Sequence, residues 1–204
     1  MRLYLASTSP ARLATLRAVG IEPVLLASNV DEEAAVASAG PLTPTEMVLL
    51  LARLKAQAVI SPDIDGFVLG GDSAFELDGV VYGKPHVPSV AKERWMLQRG
   101  REGQLHSGHW LIDHRGGVLR GERGGVSSSF VRFADVTEPE IDAYIATGEP
   151  LQVAGAFTID SLGAPFISEV RGDPHAVVGL SVALLRTLLL EFEVSWPSLW
   201  NRAL

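Results

Sequence analysis

Short apolar runs alternate with segments of helical periodicity along the chain, and no internal repeat or low-complexity stretch interrupts this pattern. The apolar runs predict strands, and the periodic segments between them predict helices. The predicted strands cover residues 3–5, 24–27, 67–69, 74–77, 80–82, 105–112 and 126–133, and the predicted helices cover residues 10–19, 44–60, 90–99, 138–147 and 181–192. Alternation of this kind is typical of a mixed α/β fold.

The first strand runs through three hydroxyl residues, 7–9, straight into a helix. Ser9 suits the N-cap, and Pro10 suits the first helical position because the amide hydrogen that proline lacks has no helical partner there. The free amides of this first turn point toward the strand end and outline an anion site. Arg12 lies in the same turn, where the helix dipole disfavours a cation and no Asp or Glu offsets it. A bound phosphate would resolve this conflict, whereas the alternative is an arginine that is simply solvated.

A second helix begins at the segment TPTE, residues 43–46, which is typical of a capping box. The spacing of the apolar residues predicts a buried stripe at Met47, Leu51, Leu54 and Ala58. Lys55 then lies on the edge of this stripe, so the lysine borders the core.

The central apolar strand, residues 67–69, ends in the sequence at two glycines followed by Asp72. Because ligands of α/β folds collect at strand ends, Asp72 is a candidate site residue. A hairpin is predicted next, since Asp78-Gly79 between two short apolar runs is typical of a type I′ turn. Lys84 follows the second strand of this hairpin.

Composition narrows the possible functions. The 204 residues, 47% of them hydrophobic, suffice for one core or for two lobes that share a cleft, so we predict a single domain over residues 1–204. The net charge of −7 argues against loose electrostatic binding to nucleic acid. The absence of cysteine excludes disulfides, thiolate nucleophiles and cysteine-ligated zinc. Nothing resembles a signal peptide and no apolar run has bilayer length, so we expect a cytoplasmic protein without a membrane segment.

His106 and His109 have a spacing that can suggest a metal site. Residues three apart on a strand face opposite ways, however. We therefore predict that this pair does not hold a metal.

Eight short segments of the chain are informative when they are taken together. They are LASTSP at residues 5–10 with Arg12, DE at 31–32, KA at 55–56, GDS at 71–73, GKP at 83–85, YIATGEPL at 144–151, AGAF at 154–157 and VVGL at 177–180. In this order and spacing they resemble the Maf family, also known as septum formation inhibitor proteins. The resemblance implies a nucleoside triphosphate pyrophosphatase, which cleaves between the α and β phosphates to give a nucleoside monophosphate and pyrophosphate. It also implies an elongated mixed β-sheet with flanking helices, two lobes around a central cleft, a relation to inosine triphosphatases, and a homodimer.

The resemblance also implies roles for individual residues. Asp72 is the catalytic base, and Glu32 binds a divalent metal cation, Mg²⁺ or Mn²⁺. The implied phosphate-binding residues are Ser7, Arg12, Lys55 and Lys84. Carboxylates suit the metal because Mg²⁺ prefers oxygen ligands and keeps water molecules, one of which can be the nucleophile. Asp72 can equally be a direct metal ligand, and Asp31 or Glu33 can replace Glu32.

The chain departs from the commonest family pattern at four positions that concern substrate choice. They are Ala11 in place of arginine, Ser73 in place of threonine, Val153 in place of lysine and Asp160 in place of glutamine. An ionised Asp160 only accepts hydrogen bonds, which suits the adjacent donors of guanine better than the mixed edge of thymine or uracil. Small Ala11 leaves room for a larger ring, so Ala11, Ser73 and Asp160 are predicted to favour guanine-type or modified purine triphosphates. The alternative is that Asp160 binds a backbone amide in its glycine-flanked turn.

A second class of function stays open, namely a nucleotide-binding regulator of septum formation and cell division with little turnover, as the family's older name suggests. A phosphate-release assay on the pure protein discriminates between the two. The expected partners are the nucleoside triphosphate and a second copy of the chain, with no nucleic acid and no membrane.

Overall fold

The structure of the protein is a computed structural model, and it describes residues 1–202. The helices are α1 (Pro10–Ala18), α2 (Glu32–Ala39), α3 (Pro44–Ala58), α4 (Pro88–Gln98), α5 (Glu138–Ala146), α6 (Pro174–Val178) and α7 (Val182–Leu190). The strands are β1 (Leu3–Ala6), β2 (Val24–Leu25), β3 (Gly66–Leu77), β4 (Val80–Tyr82), β5 (Glu102–His114), β6 (Gly121–Phe133) and β7 (Ile167–Arg171). Short 3-10 helices lie at Glu149–Gln152, Ala154–Ala156, Ala164–Phe166 and Trp196–Leu199. Within residues 1–202, no helix has both the length and the apolar character that crossing a membrane requires.

The strands form one mixed sheet. Hydrogen-bonded neighbours follow the order β2-β1-β3-β5-β6-β7, and β4 pairs with β3. β1 is parallel to both of its neighbours, with Tyr4 opposite Val24 on one side and opposite Val68 on the other. β4 runs antiparallel to β3, and β7 runs antiparallel to β6. The prediction of a mixed α/β fold is confirmed.

The chain divides into two compact units. The first comprises residues 1–72, 107–127 and the described residues from 179 on, and the second comprises residues 73–106 and 128–178. β3, β5 and β6 each contribute residues to both units. That the whole chain forms one domain stays a prediction.

In the first unit, β1 is buried along its whole length because successive side chains of a strand point to opposite faces and both faces are covered. Leu3 and Leu5 pack in one apolar cluster with Leu185 of α7. Tyr4 and Ala6 pack in another with Ala56 of α3. The two helices thus fix the strand from which the predicted anion site begins.

In the second unit, Trp95 of α4 is fully buried at the centre of an aromatic cluster. Its ring packs edge-on against Phe133 and Tyr144, with centroids 5.5 and 5.6 Å apart. Its Nε1 donates to the carbonyl oxygen of Ala156 at 2.8 Å, which satisfies the one polar atom of the buried ring. These contacts join α4 to α5 and to the segment after it.

Local signals in the sequence locate several element ends correctly. Ser9 caps α1, and a capping box opens α3 at Thr43. Asp78 and Gly79 both have positive φ, 52° and 77°, as a type I′ turn between β3 and β4 requires. These predictions are confirmed.

The prediction that the central strand ends at the glycines is wrong, because β3 continues through them to Leu77. A Cβ on Gly70 would lie 2.0 Å from the carbonyl oxygen of Ala52, so the backbone of α3 lies directly against the strand there. A glycine inside a strand often marks such a close approach. The glycines therefore admit the helix rather than end the strand.

The predicted buried stripe of α3 is also wrong in its rotation. Ala58 is exposed, and Met47 and Leu54 are only half-buried. The buried residues are Val48, Leu51, Ala52, Lys55 and Ala56. The small alanines face the backbone of β3, and this rotation moves Lys55 from the predicted edge onto the buried face of the helix.

Some elements have no counterpart in the predictions. α2 was not among the predicted helices, and Asp31 caps it by accepting from the amide of Ala34 at 3.0 Å. It buries none of its residues, so it has no apolar periodicity to reveal it. The strand predicted at residues 24–27 covers only Val24–Leu25, and β7 and α6 were not predicted.

Candidate active site

The junction between β1 and α1 has the predicted geometry. The side chain of Ser9 accepts from the amide of Arg12 at 3.4 Å, and Pro10 occupies the first helical turn. Ser7 Oγ accepts from the amide of Ser9 at 3.2 Å, which closes the hydroxyl-rich connection on itself. The first turn of α1 contains no acidic residue, so the positive end of its dipole is available to an anion.

Arg12 is buried, with 8% of its surface exposed, so the alternative of a solvated arginine is wrong. Its Nε donates to the carbonyl oxygen of Gly179 at 2.8 Å, and its Nη1 donates to Ser7 Oγ at 3.1 Å. A Cβ on Gly71 would lie 3.1 Å from Arg12 Nε, so this glycine of β3 makes room for the guanidinium. Burial lowers the pKa of Arg12, while the nearby Asp72 carboxylate acts to raise it.

Lys55 lies between two carboxylates. Its Nζ is 2.6 Å from Asp72 Oδ1 and 2.7 Å from Glu32 Oε1. The side chains of Lys55 and Asp72 are only 10% and 12% exposed, whereas that of Glu32, in the first turn of α2, is 49% exposed. The structure therefore brings together five of the predicted residues, all in the first unit: Ser7, Arg12, Glu32, Lys55 and Asp72.

The environment of Asp72 acts on its carboxyl in opposing ways. Burial raises the pKa of Asp72 because the charged form loses solvation. Lys55 and Arg12 act to lower this pKa, and the Glu32 carboxylate acts to raise it, with the balance above the ordinary value. Asp72 is thus a stronger base than a solvated aspartate, while two cations stabilise its ionised form.

The donor set suits a hard divalent cation. Within residues 1–202, no group of three or more His, Asp or Glu side chains is arranged to hold a metal ion. The carboxylates that can serve as metal ligands at this site are therefore a pair. Mg²⁺ is commonly bound by one or two carboxylates together with substrate phosphates. Glu32 and Asp72 already contact one common cation, the Lys55 ammonium. Of the acids weighed in place of Glu32, Asp31 accepts the amide of Ala34 as the cap of α2.

The other predicted residues are distributed between the units. Ala11 is half-buried on α1 in the first unit, and Ser73 is half-buried on β3 in the second. Lys84, also in the second unit, is exposed just after β4. The segment before it is fixed because the guanidinium of Arg94 donates to the carbonyl oxygen of Gly83.

Asp160 is exposed in the segment of residues 158–163 of the second unit. The backbone amides of this turn donate to a different acid, since Leu162 N and Gly163 N lie 3.3 and 3.1 Å from carboxylate oxygens of Glu149. Among residues 1–202, Asp160 has no hydrogen-bond partner and no ion pair. The alternative in which Asp160 binds the amides of its own turn is therefore wrong.

His106 and His109 of β5 have separate surroundings. In the second unit, the ring nitrogens of His106 contact Ser128 Oγ at 2.8 Å and Glu76 Oε2 at 3.1 Å. In the first unit, His109 Nε2 accepts from the amide of Ser181 at 2.9 Å. An amide only donates, so Nε2 carries no proton and Nδ1–H faces the carbonyl oxygen of Ser107 at 3.1 Å.

Sequence reasoning missed three residues that accept hydrogen bonds at or near the candidate site residues. The carbonyl of Gly179 accepts from Arg12. His109 accepts from the amide of Ser181 just before α7, and Glu149 accepts from the amides of Leu162 and Gly163. Gly179 and Glu149 stand inside segments that carry the family resemblance, so those segments were the available signal. The partner of a backbone carbonyl has no signature in sequence.

Comparison with known proteins gives matches along the whole chain. A family model described as Maf-like protein matches residues 2–192. A protein of Leifsonia xyli subsp. xyli named nucleoside triphosphate pyrophosphatase is 64% identical over 211 residues, which cover 100% of this chain and 98% of the relative. A protein of the same name from Salinispora tropica is 50% identical over 208 residues, 99% of this chain and 88% of the relative. Among solved structures, the Staphylococcus aureus Ham1 protein is 14% identical with a TM-score of 0.49, covering 95% of this chain and 100% of that one.

Proposed function

The chain belongs to the Maf-like protein family, and on that premise we propose that it is a nucleoside triphosphate pyrophosphatase. The reaction takes up one water molecule at the α–β phosphoanhydride and yields a nucleoside monophosphate and pyrophosphate. The name of the relatives that are 64% and 50% identical supports this proposal. The observation that carries it is the buried group of Arg12, Lys55 and Asp72 beside the amide-rich start of α1.

The cations of the first unit suit a triphosphate, which brings about four negative charges at neutral pH. Arg12 is held by Gly179 and Ser7, so its guanidinium is oriented before any ligand arrives. Lys55 is similarly held by its two carboxylates. Charged groups that are already oriented stabilise a transition state without the free-energy cost of reorienting those groups during the reaction. Lys84 is the further cation assigned to the phosphates.

Asp72 serves as the general base. Its carboxylate takes a proton from the attacking water while the water oxygen forms a bond to the α phosphorus, and the bridging P–O bond of the anhydride breaks with its electrons going to the leaving pyrophosphate. Burial raises the pKa of Asp72 and makes it a better proton acceptor, while Lys55 at 2.6 Å favours the ionised form that accepts the proton. A base of this kind contributes roughly 10²–10⁴-fold to a rate.

Glu32 and Asp72 are the residues that would hold Mg²⁺ or Mn²⁺. When bound, such an ion supplies neutralisation of phosphate charge and activation of water. The two carboxylates fill only part of a coordination shell, which leaves positions for phosphate oxygens and water. The partial exposure of Glu32, at 49%, is compatible with a cation that arrives together with the nucleotide.

Recognition of the nucleobase is assigned to Ala11, Ser73 and Asp160. Asp160 is exposed, and among residues 1–202 neither of its oxygens has a partner, so both are available to accept. Two adjacent donors on guanine, the ring N–H and the exocyclic amine, match a carboxylate. We therefore assign guanine-type or modified purine triphosphates as the preferred class.

The test is a panel of thymidine, uridine, guanosine and 7-methylguanosine triphosphates incubated with pure protein and Mg²⁺, with the products resolved by chromatography. Equal amounts of monophosphate and pyrophosphate are expected, with a higher kcat/KM for the guanine-type substrates. Release of single phosphates would change the reaction class. Tight nucleotide binding without turnover would instead support the regulator of septum formation, and the homodimer stays a prediction.

A further inference from the structure

Glu149 collects the hydrogen-bond donors of the 158–163 segment on one carboxylate. Its Oε1 accepts from Thr158 Oγ1 at 2.6 Å, from Gly163 N at 3.1 Å and from the hydroxyl of Tyr144 at 2.9 Å. Its Oε2 accepts from Leu162 N at 3.3 Å. A carboxylate has about four acceptor positions, so these donors occupy most of its capacity. Glu149 therefore faces the protein and is not available to a substrate.

The carboxylate stands on a rigid base. The amide of Glu149 donates to Thr147 Oγ1 at 3.2 Å at the end of α5, and Gly148 between them has the left-handed φ of 78° that ends the helix. Tyr144, one of the donors, is buried and packs edge-on against Trp95. The position of Glu149 is thus set by the core of the second unit.

The 158–163 segment packs closely around this carboxylate. A Cβ on Gly163 would lie 2.6 Å from the hydroxyl oxygen of Tyr144 and 2.7 Å from the carbonyl oxygen of Thr158, so only glycine fits there. Gly163 N also contacts Thr158 Oγ1 at 3.1 Å, which ties the two ends of the segment together. Asp160 lies midway and is exposed, and the backbone that carries it is held on both sides by these hydrogen bonds.

We propose that Glu149 is a specificity-determining positioning residue, which sets the direction of Asp160 and hence the choice of base without touching the nucleotide. The inference rests on the proposed function, because it requires that Asp160 reads the base. A glutamine at position 149 keeps the shape but replaces one acceptor oxygen with a donor, so at least one of the converging donors loses its acceptor. The segment then loses its single orientation, and Asp160 loses its selectivity.

The experiment is a double-mutant cycle of wild type, Glu149→Gln, Asp160→Gln and the double variant, with kcat/KM measured for thymidine and guanosine triphosphates. Glu149→Gln is expected to change the ratio of the two values by at least about tenfold, in the same direction as Asp160→Gln. The double variant is expected to have the ratio of Asp160→Gln within about twofold, because Glu149 acts through Asp160. Glu138→Gln, an exposed glutamate in the first turn of α5, is the control and keeps the wild-type ratio.

A base ratio that Glu149→Gln leaves unchanged, or additive effects in the double variant, would overturn the inference. If Glu149→Gln does not fold, Thr158→Val removes one donor of the same carboxylate and takes its place in the cycle. If the wild type hydrolyses neither nucleotide, the proposed function fails. Hydrogen exchange of residues 158–163 then tests separately whether Glu149 holds this segment. Exchange at Leu162 and Gly163 at least about tenfold faster in Glu149→Gln supports the positioning role, and equal exchange rejects it.

Discussion

The ammonium of Lys55 lies 2.6 Å from a carboxylate oxygen of Asp72, and both side chains are almost completely buried. The two residues are 17 positions apart, one on a helix and one inside a strand. A buried ion pair is weak evidence for stability, because the loss of solvation offsets most of the attraction. Its position beside Arg12 and Glu32 therefore indicates a functional arrangement.

Asp72→Asn is expected to lower kcat by at least about a hundredfold while the protein still binds nucleotide, because the amide accepts from Lys55 but does not take a proton from water. The measurement is pyrophosphate release, together with the affinity for an analogue whose α–β bridge is a methylene group. Asp63→Asn, at an exposed aspartate, is the matched control. Full activity of Asp72→Asn would assign the base to another residue.

Arg12→Ala is expected to weaken binding of the same analogue by at least about tenfold and to destabilise the fold by about 1–3 kcal/mol, since it leaves the buried Gly179 carbonyl without its donor. Arg17→Ala on the same helix is the control. Arg17 pairs with Glu22 at the surface, where such a pair adds little to stability. Urea denaturation and calorimetric binding measure both effects. Equal behaviour of the two variants would contradict the assigned role of Arg12.

Gly70→Ala is expected to lower both stability and turnover. The added methyl group would lie 2.0 Å from the carbonyl oxygen of Ala52, so α3 has to shift and Lys55, one turn farther along, shifts with it. Overpacking of this kind costs about 1–3 kcal/mol. Gly83→Ala, where nothing lies within 4 Å of the new methyl group, is the control for stability. Wild-type kcat in Gly70→Ala would show that the spacing of α3 and β3 does not set the catalytic geometry.

Glu149 is expected to make the free energy of unfolding depend on pH in the acid range. Burial acts to raise the pKa of Glu149, but hydrogen bonds from Ser161, Thr158 and Tyr144 lower it to about 2 from an ordinary 4.5. Because the folded-state pKa is depressed, this stabilisation is present above about pH 4.5 and is lost as the pH falls toward 2.

The corresponding measurement is the free energy of unfolding in urea for wild type and Glu149→Gln at several pH values from 7 down to 3. The difference between the two proteins should narrow as the pH falls. A difference that does not vary with pH would mean that the carboxylate has the same pKa in the folded and unfolded chain.

Local signals allowed the helix starts and the hairpin to be predicted, because a capping box or an Asp-Gly turn depends on neighbouring residues alone. Ser9, Thr43 and Asp78 are examples. At the first unit's site, the helix start and the strand pattern made Arg12 and Asp72 candidates, and the family resemblance added Ser7, Glu32 and Lys55. The structure brings Glu32, Lys55 and Asp72 into contact.

What could not be predicted depends on contacts between distant parts of the chain. The rotation of α3 follows from Ala52 lying on the backbone of Gly70, and small residues at such contacts add little to a hydrophobic stripe. α2 buries nothing and so leaves no periodic signal. The surroundings of Asp160 depend on Glu149, whose amide donors are known only from the fold. In the sequence it does not differ from other surface glutamates.

The hydrogen bond from Arg12 to the carbonyl oxygen of Gly179 joins positions 167 residues apart. Chains are synthesised from the N-terminus, so Arg12 leaves the ribosome long before its partner exists. His109 and Ser181, which fix the start of α7, follow the same order. A nascent chain that stops before residue 179 carries Arg12 without the carbonyl that orients it, so this part of the candidate site forms only after residue 179 has been added.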